Sequence, residues 1–106
     1  MGCEGLRVEW SKGAERNLDS IEAYIAQDNP AAAAKTVVKI VRRTFAQLSK
    51  HPASGKPGRI SGTRELIFPE IPYIVIYSVH GDIIFILRVF HTAQDFENLP
   101  EQTSIN

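Results

Sequence analysis

At 106 residues, 43 % hydrophobic and 23 % charged, the chain has the composition of a single globular domain with a modest core. It holds no apolar run long enough to span a membrane and no secretory leader pattern. Its one cysteine, Cys3, excludes an internal disulfide, which points to a reducing, cytoplasmic setting. Met1-Gly2-Cys3 is an acylation-like start, but Leu6 stands where that pattern requires Ser or Thr.

The net charge is zero, yet the signs are segregated. Lys35, Lys39, Arg42, Arg43, Lys50, Lys56, Arg59 and Arg64 are eight cations in a stretch with no Asp or Glu. The flanks hold all twelve acidic residues and only four basic ones. A one-signed block of this kind attracts a polyanion or an acidic protein surface; it is equally read as a solvated face balanced by its acidic neighbour.

In chain order, Leu6-Arg7-Val8-Glu9-Trp10 alternates apolar and charged residues and predicts a short strand with Leu6, Val8 and Trp10 on its covered face. Ser11 is an N-cap. Ala14, Leu18, Ile21 and Ile25 then recur at helical spacing, predicting a helix to about Gln27. Asn29 caps a second helix with Pro30 at its first position. That helix runs to about Ser49, with Ala34, Val37, Val41, Phe45 and Leu48 as the apolar stripe and Lys35, Lys39 and Arg42 opposite. The short link makes the two helices a hairpin. His51 to Gly58 is rich in Gly and Pro and reads as a loop.

The second half is built from β-branched and aromatic runs: about Thr63–Phe68, Tyr73–Val79 and Ile83–Phe90. His80-Gly81-Asp82 is expected as a three-residue hairpin loop. Pairing Val79 with Ile83 would set Tyr77 against Phe85, Ile76 against Ile86 and Ile74 against Arg88. Helices grouped together and strands grouped together predict an α+β domain in β-α-α-β-β-β order, with the helical hairpin packed on a mainly antiparallel sheet. The core is expected over about residues 6–96, with flexible tails at 1–5 and 97–106.

These elements and their residues resemble the RelE/ParE superfamily of toxins from bacterial type II toxin–antitoxin systems. The carriers are Leu18…Ile21…Tyr24-Ile25, Asn29-Pro30-Ala31-Ala32-Ala33 and Leu48…His51-Pro52…Gly55-Lys56-Pro57-Gly58-Arg59. They continue with Gly62-Thr63-Arg64-Glu65-Leu66, Pro72-Tyr73-Ile74-Val75-Ile76-Tyr77 and Ile86-Leu87-Arg88-Val89-Phe90-His91. The resemblance implies a growth-inhibiting toxin of a plasmid-stabilisation type module, silenced by a cognate antitoxin in a hetero-oligomeric complex. It implies a ParE-like block of DNA gyrase or, alternatively, RelE-like cleavage of mRNA on the ribosome. A third alternative is an inactive member that only binds its antitoxin. No cofactor is implied.

RNA cleavage by 2′-hydroxyl attack needs a base, an acid and cations for the developing charge, without a metal. Arg64, Arg88 and His91 are the candidates, with Glu65 as a further base; Lys56, Arg59 and Tyr77 join Lys35, Lys39, Arg42 and Arg43 as binding candidates. Arg64, Arg88 and His91 are expected to border one shallow surface. The histidines and Cys3 show no metal-ligand spacing. In nuclease members resembling the YoeB type an arginine stands near the position of Ile74, so one half of a two-arginine clamp is missing. The ending Leu-Arg-Val-Phe-His is shared with ParE-like members, and the resemblance therefore favours the gyrase target.

Overall fold

The computed structural model describes residues 6–92; the tails expected at 1–5 and 97–106 lie outside the described residues. Strand β1 (Arg7–Trp10) is followed by helices α1 (Lys12–Ala26) and α2 (Pro30–Lys50). Strands β2 (Lys56–Pro57), β3 (Arg64–Ile67), β4 (Tyr73–His80) and β5 (Ile83–His91) follow. Both helices start where their caps dictate. The Ala14 N–H donates to Ser11 Oγ at 3.0 Å, and the Ala32 N–H donates to Asn29 Oδ1 at 3.1 Å. These bonds satisfy amides that no helical carbonyl reaches.

The five strands form one sheet in the order β1-β5-β4-β3-β2. All neighbours are antiparallel except β1 and β5, which run parallel. Ala14, Ile40 and Leu48 of the helices meet Leu66, Tyr73, Val75, Tyr77, Ile84, Ile86 and Val89 of the sheet in the main core. Ile74, Ile76 and Phe90 form a second cluster with Ile60 and Leu87. Apolar clusters on both sides of β4 and β5 explain why neither strand alternates with polar residues.

Several local expectations need correction. The stretch 51–58 is not wholly loop, because Lys56 and Pro57 pair with Glu65 and Arg64 as the short edge strand β2. The β4–β5 loop has two residues, not three: His80 pairs with Ile83, leaving Gly81 and Asp82. Gly81 has φ +63° and, among the described residues, no non-glycine residue has positive φ, the pattern of a type II′ turn, whose twist suits the flanking strands. The pairing therefore shifts by one residue, to Tyr77 with Ile86, and shifts again at a bulge between Ile76 and Tyr77. Arg88 lies opposite Ile76, not Ile74.

The bulge has a clear physical cause. Ile84 and Ile86 face the helices, so strict alternation would send Arg88 into the same core. Leu87 is the extra residue, and beyond it Val89 rather than Arg88 returns to the helix-facing core. Two polar residues of the incoming helix seal the irregular backbone. Ser11 Oγ donates to the Leu87 carbonyl at 3.1 Å, and the Val89 N–H donates to Asn17 Oδ1 at 2.9 Å.

Helix α2 is also rotated relative to the predicted stripe. Ala33, Ile40, Thr44 and Leu48 are buried, whereas Ala34 is exposed and Phe45 is 55 % exposed. Both stripes fit a 3.6-residue period. Packing against α1 and the sheet selects the one that carries Ile40 and leaves Phe45 outside.

Candidate functional site

Tyr77 is fully buried at the end of the helix-facing core, and its hydroxyl reaches the loop after α2. It donates to the Pro52 carbonyl at 2.8 Å and accepts the Gly55 N–H at 2.8 Å. Gly55 is the only residue type that fits there. A Cβ would stand 2.7 Å from the Tyr77 ring and hydroxyl and 2.9 Å from the Glu65 carbonyl oxygen. Arg64 adds a second latch, donating from Nη1 to the Gly55 carbonyl at 2.7 Å and to that of Ala53 at 3.3 Å. Burial raises the Tyr77 phenol pKa, against smaller lowering effects from the Gly55 bond, the Arg64 charge and Ser54. Tyr77 and Arg64 thus shape the loop that presents His51 and Lys56 at the surface.

Glu65 turns the other way. Its side chain is 1 % exposed; Oε2 accepts the Arg59 N–H at 3.1 Å and lies 3.7 Å from Arg59 Nε. Oε1 is enclosed without a hydrogen bond. The carboxylate ties down the β2–β3 loop, from which Ile60 reaches the second apolar cluster.

Arg88 follows the bulge and brings its guanidinium against Gly13 in the first turn of α1. A Cβ on Gly13 would lie 1.8 Å from Arg88 Nη1. Arg88 forms no ion pair with any described residue, and its Nε is enclosed without a hydrogen bond. Among the described residues, Nη1 makes one long contact, 3.4 Å to the Leu87 carbonyl. A cation beside the positive end of a helix is poorly matched, and the chemistry this arrangement favours is recognition of an anion. His91 stands three residues on, its ring edge-on to Tyr73 at 5.1 Å between centroids. Burial raises the Tyr73 phenol pKa, and Tyr24 nearby adds to the effect.

The pairing does not gather Arg64, Arg88 and His91 on one surface. Arg64 lies opposite Tyr77 and His91 opposite Tyr73, four residues apart along β4, or about 13 Å at strand rise. Arg88 pairs with Ile76, whose side chain leaves the face opposite to that of Tyr77. Tyr77 accompanies Arg64, and Tyr73 accompanies His91.

The remaining binding candidates fall in two places. Lys56 and Arg59 lie on the β2–β3 hairpin. Lys35, Lys39, Arg42 and Arg43 share an open face of α2 with Ala34 and Val38. Arg43 is engaged, paired with Glu70 and stacked 5.6 Å from the Phe68 ring centroid. Among the described residues no three His, Cys, Asp or Glu side chains gather as a metal site, and no helix is long and apolar enough to cross a membrane.

Residues 8–96 match the family model of the ParE toxin of type II toxin–antitoxin systems, parDE. The chain belongs to the ParE toxin family. It is 47 % identical over 90 residues to Y4kP, a candidate toxin of Sinorhizobium fredii, covering 85 % of this chain and 92 % of that protein. Its fold superposes on a chain of the chromosomal ParDE toxin–antitoxin system of P. aeruginosa with a TM-score of 0.72 and 28 % identity, over 81 % of this chain and 95 % of that one. A chain of the RelBE2 toxin–antitoxin complex of Mycobacterium tuberculosis gives 0.61 and 25 %, over 81 % and 96 %. The RelE/ParE resemblance, the α+β class and the toxin role read from the sequence agree with these matches.

Within this ParE-family chain the sequence reading missed two glycines that shape the candidate sites. Gly13 interrupts a helical pattern at a cost of about 0.5–1 kcal/mol relative to Ala, a signal that something occupies the space of its side chain. Gly55 left no such signal, because a glycine in a loop is ordinary.

Proposed function

We propose that this ParE-family toxin arrests growth by blocking DNA gyrase in the cytoplasm and that a cognate antitoxin neutralises it by direct binding. The observation that carries the gyrase reading is the dispersal of Arg64, Arg88 and His91. Arg64 spends its guanidinium on the carbonyls of Gly55 and Ala53 and acts as a loop latch. An acid, a base and paired cations within reach of one phosphate are what RNA cleavage requires. Neutralisation by a partner is supported by two structural neighbours that come from toxin–antitoxin systems, ParDE and RelBE2.

One observation favours the alternative, a ribosome-dependent mRNA endonuclease: Arg88 lacks a carboxylate among the described residues and has His91 on the same strand. Inducing the chain alone in bacteria and labelling new DNA, RNA and protein separately tests the choice. The gyrase reading predicts that DNA synthesis falls first, with a DNA-damage response. Immediate loss of protein synthesis while DNA synthesis continues would overturn it in favour of the nuclease.

A further inference from the structure

The loop that leaves α2 is pinned along its whole length. Tyr77 and Arg64 hold its backbone at Pro52, Ala53 and Gly55. The Ser54 N–H closes a turn onto the His51 carbonyl at 3.0 Å, and the Gly58 N–H donates to the Thr63 carbonyl at 2.8 Å. Gly58 is pressed as closely as Gly55: a Cβ there would stand 2.4 Å from Thr63 Oγ1. The contacts are redundant, since without Arg64 the loop is still held by Tyr77 on one side and Thr63 on the other. The core does not need them, because a phenylalanine ring at position 77 would fill the same space. What they fix is a surface: His51, Ala53, Ser54, Lys56 and Pro57 are all exposed. Loops are ordinarily the mobile part of a fold, and a loop already fixed loses little entropy when a partner closes on it.

The fixed surface is basic. From Pro30 to Arg64 the sequence has no Asp or Glu. Lys50 and Lys56 are exposed and form no ion pair with any described residue. Lys56 stands opposite Glu65 in the β2–β3 pairing, where cross-strand neighbours share a side of the sheet. Glu65 nonetheless turns to the Arg59 N–H and guanidinium, so the Lys56 charge goes unanswered. Strand addition does not suit this edge of the sheet. Of the two residues in β2, Pro57 has no N–H to offer and Lys56 is charged. A partner meets the loop through side chains and shape.

We infer that the loop from Lys50 to Pro57 is the surface by which the chain grips its protein target, and that it fits a patch of Asp and Glu side chains there. The inference rests on the gyrase reading for the identity of the target. Its chemistry rests on the loop alone. A nucleic acid fits less well. Between Phe45 and Phe68 the sequence has no Phe, Tyr or Trp on which a base could stack, and two free lysines neutralise few phosphates. Ala53 and Pro57 instead offer small rigid apolar contacts between the cations.

The test measures inhibition of gyrase supercoiling by the purified full chain and its variants, beside anisotropy titration of the labelled chain with gyrase free of DNA. Lys50→Ala with Lys56→Ala is expected to raise the concentration for half-inhibition by about tenfold, chiefly through slower association at low salt. Lys12→Ala with Arg16→Ala removes the same charge from the exposed start of α1 and is expected to shift it by less than about twofold. Ala53→Trp keeps every charge but sets a bulky ring on the loop, and is expected to weaken inhibition by about tenfold or more. A melt of each variant checks its folding. Full potency of the Lys50→Ala, Lys56→Ala chain or of Ala53→Trp would overturn the inference, as would equal weakening by the α1 substitutions. Binding of a DNA oligonucleotide alone that depends on Lys50 and Lys56 would assign the loop to nucleic acid instead. If the unmodified chain leaves supercoiling untouched, the gyrase reading fails by itself, and the same variants are scored by growth arrest at equal soluble protein. Undiminished arrest would then overturn the loop as the gripping surface, whereas lost arrest would sustain it for a different protein target.

Discussion

Replacing Tyr77 by Phe removes one oxygen atom and leaves the ring in place. That oxygen makes two hydrogen bonds of 2.8 Å, to the Gly55 N–H and the Pro52 carbonyl, from a fully buried position. Each bond contributes about 0.5–1.5 kcal/mol net, and an amide left buried without a partner adds about 1–3 kcal/mol. The Gly55 carbonyl remains held by Arg64, so the loop stays partly anchored. The expected loss is about 2–4 kcal/mol, a fall in Tm of roughly 10–20 °C for a domain of this size. Denaturant titration at pH 7 measures it directly. Alkaline titration adds a second signature. Burial raises the Tyr77 phenol above its ordinary 10.0, so the folded state holds that proton more tightly than the unfolded state. The contribution is complete below pH 10 and is lost as pH rises from about 10 through the folded pKa. The gap between the unmodified chain and Tyr77→Phe is therefore constant to about pH 9 and narrows above 10. A loss under about 1 kcal/mol, with the gap flat across alkaline pH, would refute the latch.

The rotated phase of α2 predicts that Leu48→Ala costs about 2–5 kcal/mol while Phe45→Ala costs less than about 1, both read from urea melts. Comparable losses would return Phe45 to the core. Gly13→Ala should gain about 0.5–1 kcal/mol when Arg88 is already Ala, and gain less or lose when Arg88 is present, because its guanidinium fills the space of the new methyl. A double-mutant cycle with no coupling between the two sites would show that the contact is not made. Arg64→Ala should cost about 1.5–3 kcal/mol through the lost bonds to the Gly55 and Ala53 carbonyls. Growth inhibition per molecule of folded protein should be unchanged; a fully folded but inert Arg64→Ala would instead make Arg64 a functional group.

What could be read from the residues was what depends on local periodicity. Ser11 and Asn29 announce their helices because only a side-chain oxygen there satisfies the first free amides. The β-branched runs of β4 and β5 announce strands because few other structures accommodate them. The parallel pairing of β1 with β5 was not legible, since it joins segments more than seventy residues apart and leaves no local trace. The bulge at Leu87 was legible only in part. Ile84, Ile86 and Arg88 share one parity, and the cost of a cation in the core was the available warning. The α2 phase was ambiguous because two stripes fit one period, and only contact with α1 and the sheet separates them. The candidate site suffered most from these errors. One residue of register and one bulge decide whether Arg88 faces Arg64 or turns to Gly13.

The most direct test of the gyrase reading is supercoiling of relaxed plasmid by purified gyrase in the presence of the purified chain. The account predicts that supercoiling falls as the chain is added, and that Arg88→Ala and His91→Ala proteins with native melts inhibit as well as the unmodified chain. Undiminished supercoiling, together with mRNA cleavage in a purified translation system that Arg88→Ala abolishes, would contradict it.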